Sequence, residues 1–293
     1  MTAPTERGSA PTTVPDGGVQ PADSGPDLDP DLDLDLDELT RLTVELAERA
    51  GEVIVELRAD AVATTTTKSS PTDPVTEADR AAERLIVDGI RRARPDDTII
   101  GEEGADHVGT SGLAWHIDPI DGTTNYVYGL PAYGVSVAVG AGDRMLAGAV
   151  ANPMAGELFA ATLGRGATLN DEPIAVAGPV ELPAALVATG FGYQAERRRA
   201  QAAVVAALLP EIRDIRRMGS AALDLCAVAC GRVDAYYELG LNRWDFASGV
   251  LIATEAGARC SDLAGGPPST DFLVAASPDL HGPLTRRLVE LGA

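Results

Sequence analysis

The residues in this chain best placed to do chemistry are acids at the ends of apolar stretches. "TDPVTEAD" carries Asp73, "TIIGEEG" carries Glu102 and Glu103, "WHIDPIDGTTNYVYG" carries Asp118 and Asp121, and "RWDFASG" carries Asp245. Each alone would read as an ordinary turn or cap residue. Four such sites together form a set of hard oxygen donors with no histidine or cysteine beside them, which suits Mg²⁺, Mn²⁺ or Ca²⁺. The three histidines (His107, His116, His281) do not cluster, and neither HExxH nor CxxC occurs, so the sequence does not read as a zinc protein. Asp118 and Asp121 repel each other and lose solvation if buried. A divalent cation would turn that repulsion to use. Gly122 lets the backbone approach a ligand closely. If a helix starts beside it, the N–H groups of Gly122 and Thr123 face an anion.

The elements that must position these acids are legible in outline. Leu39, Leu42, Leu46, Ala50, Val53 and Leu57 recur at helical spacing, with Asp37 as the expected N-cap. "TEAD" at 76–79 resembles a capping box opening a second helix, with Leu85, Ile86 and Ile90 on its apolar face. "TIIGEEG" and "LAWHIDPIDG" read as strands running into turns. Runs 132–141, 144–152 and 156–163 complete a mostly antiparallel sheet. From about 183 strands and helices alternate: "ALVATG", a helix over 195–209, "GSAALDLCAVACG" (219–231) as a helix with small faces, "VDAYYEL", a helix over 244–257 ended by Gly257, "FLVAAS", and a closing helix over 279–291. The expected organisation is a tail over 1–36, an α+β half over 37–180 carrying most of the acids, and an α/β half over 181–293 carrying the last one.

Composition narrows the function. The chain has 293 residues and a formal net charge of −21, which argues against nucleic acid or an anionic membrane as the main partner. The first 38 residues hold ten acids and one arginine, and read as a solvated, disordered acidic tail. Three cysteines, an odd count, are expected to be free thiols in a reducing compartment. There is no apolar leader and no apolar run of membrane-spanning length, so the sequence reads as soluble and cytoplasmic.

The blocks "DPVTEAD", "GEEG", "DPIDGTTNYVYG" and "GSAALDLCAVACGRVDAYYELGLNRWD", running into "WDFASGVLIATEAG", occur in the order found in the inositol monophosphatase family, the Mg²⁺-dependent, lithium-sensitive phosphatases. The resemblance covers roughly 40–290. It implies a five-layered αβαβα sandwich of the inositol monophosphatase and fructose-1,6-bisphosphatase type, usually a homodimer. It also implies two or three Mg²⁺ per active site. By that resemblance Glu102, Asp118 and the Ile120 carbonyl hold a first ion, and Asp118, Asp121 and Asp245 a second. A weaker third lies near Glu102 and, through water, Asp73. Thr123, aligned by Asp73, resembles the dyad that helps activate water. Gly219, Ser220, Ala221 and Glu238 match the family's substrate-binding positions, beside Asp121, Gly122 and Thr123. A carboxylate at 238 accepting from vicinal hydroxyls favours polyols.

The expected reaction is hydrolysis of a small polyol phosphate, inositol 1-phosphate first. Histidinol phosphate, fructose 1,6-bisphosphate or a 3′-phosphoadenosine nucleotide are rivals, and a non-catalytic regulatory protein on this fold is a remoter one. No metal ligand is missing, as the last would require. Lys68, the chain's only lysine, stands either near the phosphate or in a solvated loop. Cys226 and Cys230 are expected to pack in the core. Trp244 is expected to orient Asp245, and one of Tyr236 and Tyr237 to face the core or a subunit interface. The family often has histidine where this chain has Tyr128.

Overall fold

A computed structural model describes residues 35–63, 66–67, 74–104 and 106–293. Helix α1, Leu36–Ala63, opens the described chain. Its cap is Asp35 and not the expected Asp37: the Asp35 carboxylate accepts the N–H groups of Asp37 (3.0 Å) and Glu38 (3.1 Å). Leu39, Leu46, Ala47, Ala50 and Ile54 form its buried stripe. Leu42, Val53 and Leu57 sit at the stripe's margins, because a 3.6-residue period drifts against a fixed apolar spacing.

Two short strands, β1 (Thr66–Thr67) and β2 (Pro74–Val75), pair antiparallel. Helix α2, Glu77–Ala93, starts with the expected capping box: Thr76 Oγ1 accepts from Ala78 and Asp79, and Asp79 accepts from the Thr76 N–H at 2.8 Å. Then come β3 (Thr98–Gly101), β4 (Ala114–Asp121), helix α3 (Thr123–Tyr128), β5 (Gly134–Ala141), β6 (Arg144–Asn152), β7 (Glu157–Thr162), β8 (Ala167–Leu169) and β9 (Glu172–Pro173). β3 to β9 lie side by side in chain order as a seven-stranded sheet, parallel at β3–β4 and antiparallel elsewhere.

The rest of the chain is β10 (Leu186–Thr189), α4 (Ala195–Leu208), β11 (Asp214–Arg216), α5 (Ala221–Ala229), β12 (Ala235–Glu238), α6 (Arg243–Glu255), β13 (Arg259–Ser261), β14 (Leu273–Ala276) and α7 (Pro278–Glu290). The five strands pair as β11-β10-β12-β14-β13, parallel around β10 and antiparallel around β14. Gly257, in the left-handed region, follows the α6 cap Ala256.

Five layers result: α1 with α2, the large sheet, α5 with α6, the small sheet, and α4 with α7. The middle layer explains the composition of its helices. All nine residues of α5 are buried, so only small and apolar side chains, plus Asp224, fit between two sheets. Cys226 is fully buried there, as expected, and all three cysteines are free. Tyr236 and Tyr237 are both buried, on opposite faces of β12, with Tyr237 stacked on Phe272 at 6.3 Å between ring centres.

Candidate active site

The turn after β4 is where the strand's geometry becomes chemistry. β4 is buried from Trp115 to Ile120. Residues three apart on a regular strand point to opposite faces. Here Asp118 stands opposite Ser136 and Asp121 opposite Gly134, so the register slips by one residue between them. That slip swings both carboxylates into one cleft. Gly122 follows with φ 93°, and α3 starts at Thr123. A side chain at Gly122 would be strained by that φ and would place its Cβ 3.0 Å from the Ala132 carbonyl and 3.1 Å from that of Gly219.

The cleft measures about 280 Å³. One wall carries Glu102, Asp118, Ile120, Asp121, Gly122 and Thr123. The other carries Gly219, Ala221, Glu238 and Asp245, with Gly190 buried beside Glu238 and residues 191–194, Arg197 and Arg217 completing the lining. A larger groove of about 570 Å³ runs between α1 and the β6–β7 turn. Its acids Glu48, Glu52 and Glu56 are spaced along one exposed helix face and Glu157 is paired with Arg232, so the larger volume is not the reactive one.

Asp118, Asp121, Asp245 and Glu238 are each held by backbone or hydroxyl donors. Ile120 N–H donates to Asp118 Oδ1 at 3.0 Å, and Thr123 Oγ1 donates to the Ile120 carbonyl at 2.9 Å. Ser220 Oγ and Ala222 N–H both donate to Asp121 Oδ2 at 2.7 Å. Asn242 N–H donates to Asp245 Oδ2 at 2.6 Å, so Asp245 closes a capping box on α6. That backbone bond fixes Asp245. Tyr236 Oη donates to Glu238 Oε2 at 2.6 Å. The Glu83 carboxylate accepts the Glu103 N–H at 3.0 Å, bracing the turn that carries Glu102.

The electrostatics at the β4 turn and the start of α6 are those of acids gathered with no base paired to them. Burial, then the charges of Glu102, Asp121 and Asp245, push the Asp118 carboxyl well above the usual range. Burial raises Asp121 to about 6 against the donors Ser220 and Ala222. Burial, then Asp121 and Glu102, raise Asp245 well above its usual range. Among the described residues, Asp118, Asp121 and Asp245 have no arginine within ion-pair distance. Hard oxygens that repel one another in a polar cleft fit a divalent cation. Among the described residues, however, no three acidic, histidine or cysteine side chains converge into a finished coordination cage. Several of the oxygens are turned toward N–H and O–H donors instead.

Most of the residues expected from sequence line this cleft: Glu102, Asp118, Ile120, Asp121, Gly122, Thr123, Gly219, Ala221, Glu238 and Asp245. Ser220 does not line it; its hydroxyl is buried behind Asp121. Asp73 and Lys68 lie outside the described residues. Sequence reasoning missed Tyr236 as the partner of Glu238, Asn242 as the anchor of Asp245, and the lining arginines 197 and 217. Tyr236 alone carried a usable signal, lying two before Glu238 on the same strand face.

The inositol monophosphatase family model matches residues 35–293, everything except the tail. Inositol-1-monophosphatase SuhB of Mycobacterium tuberculosis is 48% identical over 233 residues, covering 75% of this chain and 80% of that protein. Nus factor SuhB of Salmonella typhimurium is 43% identical over 227 residues, covering 77% of this chain and 85% of that protein. The solved structure of Mycobacterium tuberculosis SuhB superposes with a TM-score of 0.75 at 41% identity, covering 87% of this chain and 97% of the other. With the layered sandwich and the match of sequence across 35–293, the chain belongs to the inositol monophosphatase family and is a phosphoric monoester hydrolase.

Proposed function

We propose that the chain hydrolyses small polyol phosphate monoesters with Mg²⁺, inositol 1-phosphate first among them. The observation that carries this reading is the opposition, across one cleft, of the Asp118–Asp121–Gly122–Thr123 turn and Glu238. The first set suits a phosphoryl group and its cations, and the second suits the hydroxyls of the alcohol. The name of the Mycobacterium tuberculosis relative agrees with it.

In this reading Glu102, Asp118, the Ile120 carbonyl, Asp121 and Asp245 hold the cations, with a weaker place near Glu102 and Asp73. Bound there, Mg²⁺ would acidify a water and offset the charge on the ester and its leaving oxygen. The chain's own residues orient the reactants. Thr123, whose hydroxyl donates to the Ile120 carbonyl, would help align the attacking water, the part in which the family resemblance joins it to Glu102 and Asp73. Gly122, with no side chain, leaves room for the phosphoryl oxygens. Ser220 and the Ala222 N–H keep Asp121 turned to the cleft. Glu238, with Gly219 and Ala221 on the same wall, accepts the polyol hydroxyls. The protein acts as a cytoplasmic homodimer, residues 35–180 and 181–293 being the two halves that meet at the cleft. Among the described residues no helix is long and apolar enough to cross a membrane.

A panel of phosphate esters at saturating Mg²⁺ tests the substrate assignment. Inositol 1-phosphate should give the highest kcat/KM against histidinol phosphate, fructose 1,6-bisphosphate and 3′-phosphoadenosine 5′-phosphate. Turnover of inositol 1-phosphate a hundredfold below that of histidinol phosphate would remove it.

A further inference from the structure

Glu238 ends β12 in a confined place. Tyr236, two residues earlier and so on the same face of the strand, is fully buried, and its hydroxyl donates to Glu238 Oε2 at 2.6 Å. Across the sheet, Gly190 leaves β10 directly against the carboxylate. A Cβ at Gly190 would overlap Oε1, Cδ and Oε2 together. The carboxylate therefore lies across bare backbone, with one oxygen tied down.

That arrangement answers a problem specific to this side chain. The terminal torsion of a glutamate is broad and roughly two-fold, so a free carboxylate presents no fixed acceptor direction to a ring of hydroxyls. Tying Oε2 to a rigid, buried phenol selects one orientation and leaves Oε1 for the substrate.

We propose that Tyr236 is a positioning residue for substrate selection: it holds Glu238 in the orientation that reads polyol hydroxyls, and Gly190 supplies the gap this orientation requires. The inference rests on the reading that Glu238 accepts hydroxyls of the alcohol. It assigns neither residue a part in breaking the P–O bond. Its consequence is that losing the phenol oxygen weakens recognition of the alcohol and spares that of the phosphoryl group.

The test compares kcat/KM for inositol 1-phosphate with that for 4-nitrophenyl phosphate, whose leaving group has no vicinal hydroxyls. Glu238→Ala should lower the ratio of the two by tenfold or more, and Tyr236→Phe by about tenfold, through a raised KM for the polyol ester, as expected for disturbing a charged hydrogen bond. Gly190→Ala should lower the same ratio by displacing the carboxylate, and carries the test if the phenylalanine variant folds poorly. The Tyr236→Phe, Glu238→Ala double variant should be no worse than Glu238→Ala alone, since both act through one carboxylate. A ratio within twofold of the parent in Tyr236→Phe, with Glu238→Ala impaired, would overturn the proposal. So would an equal fall for both esters, or full additivity in the double variant. An unchanged ratio in Glu238→Ala would instead remove the reading of Glu238 on which the proposal stands.

Discussion

The Ser220 hydroxyl donates to Asp121 Oδ2 at 2.7 Å while accepting the Leu223 N–H at 3.2 Å. One buried hydroxyl thus caps α5 and fixes an acid on the other wall of the cleft. Ser220→Ala should cost about 1 kcal/mol for the lost cap, or about 2–4 °C in Tm for a chain of this size. It should also raise the Mg²⁺ concentration at half-maximal rate several-fold, because Asp121 loses one of its two anchors. Thermal melts and a Mg²⁺ titration of the rate read the two effects separately; an unchanged Mg²⁺ requirement would reduce Ser220 to a cap.

Gly122→Ala should be more damaging. The substitution demands a non-glycine residue at φ 93° and pushes a methyl against two carbonyl oxygens. Strain of this kind costs about 1–3 kcal/mol, and relief would move the turn that carries Asp121 and Thr123. A fall in kcat of at least tenfold, with a lowered Tm, is the expected outcome. Activity within twofold of the parent would show that the turn tolerates the shift.

The metal-free protein should be less stable at neutral pH than in mild acid. Asp118 and Asp245 are raised well above the usual range, Asp121 to about 6, and Glu238 and Asp79 to about 7, burial being the leading cause in each. A carboxyl whose folded pKa is raised binds more protons folded than unfolded. Its contribution is present at low pH and is lost as pH rises through the folded value. His116 and His281, both lowered to about 4 by burial, act the other way below about pH 6.5, where the unfolded chain takes up protons that the folded one refuses. With Asp224, likewise raised well above its usual range by burial, six acids outweigh two histidines. Melts in a chelating buffer should therefore give a higher Tm near pH 5.5 than near pH 7.5, and saturating Mg²⁺ should abolish or reverse the difference. A higher Tm at pH 7.5 in the chelating buffer would contradict this balance.

These predictions lean on features of unequal legibility. The acids were readable because "GEEG", "DPIDGT" and "WD" put charge at the ends of apolar runs, where a solvated role is hard to assign. The long strands and helices were readable because their apolar residues keep one period. β8, β9, β11 and β13 were not, since two or three residues set no period and their pairing comes from neighbours already in place. The slip between Asp118 and Asp121 was invisible for a related reason: register belongs to two strands at once. The anchoring of Asp245 by the Asn242 N–H was hidden in a capping box read for its acid alone. Asp35 and Asp37 are alike as caps in an Asp–Leu alternation, so sequence alone puts the start of α1 two residues late.

Removal of residues 1–34 should leave kcat/KM for the preferred ester within twofold. Asp35 caps α1 and Leu36 packs against the outer core, so the deletion must stop before them. A loss of tenfold or more in the truncated, folded protein would place a working part of the enzyme in the tail.

Asp121 gives the most direct measurement. The metal-stripped protein is titrated with Mg²⁺ while inositol 1-phosphate hydrolysis and Tm are followed, in the parent and in Asp121→Asn. The account predicts no turnover without Mg²⁺, a saturable return with a rising Tm in the parent, and a folded Asp121→Asn protein that regains less than about 1% of the rate, since loss of a metal-binding carboxylate removes transition-state stabilisation. Full turnover by the chelator-treated parent, or parental rates in Asp121→Asn, would contradict it.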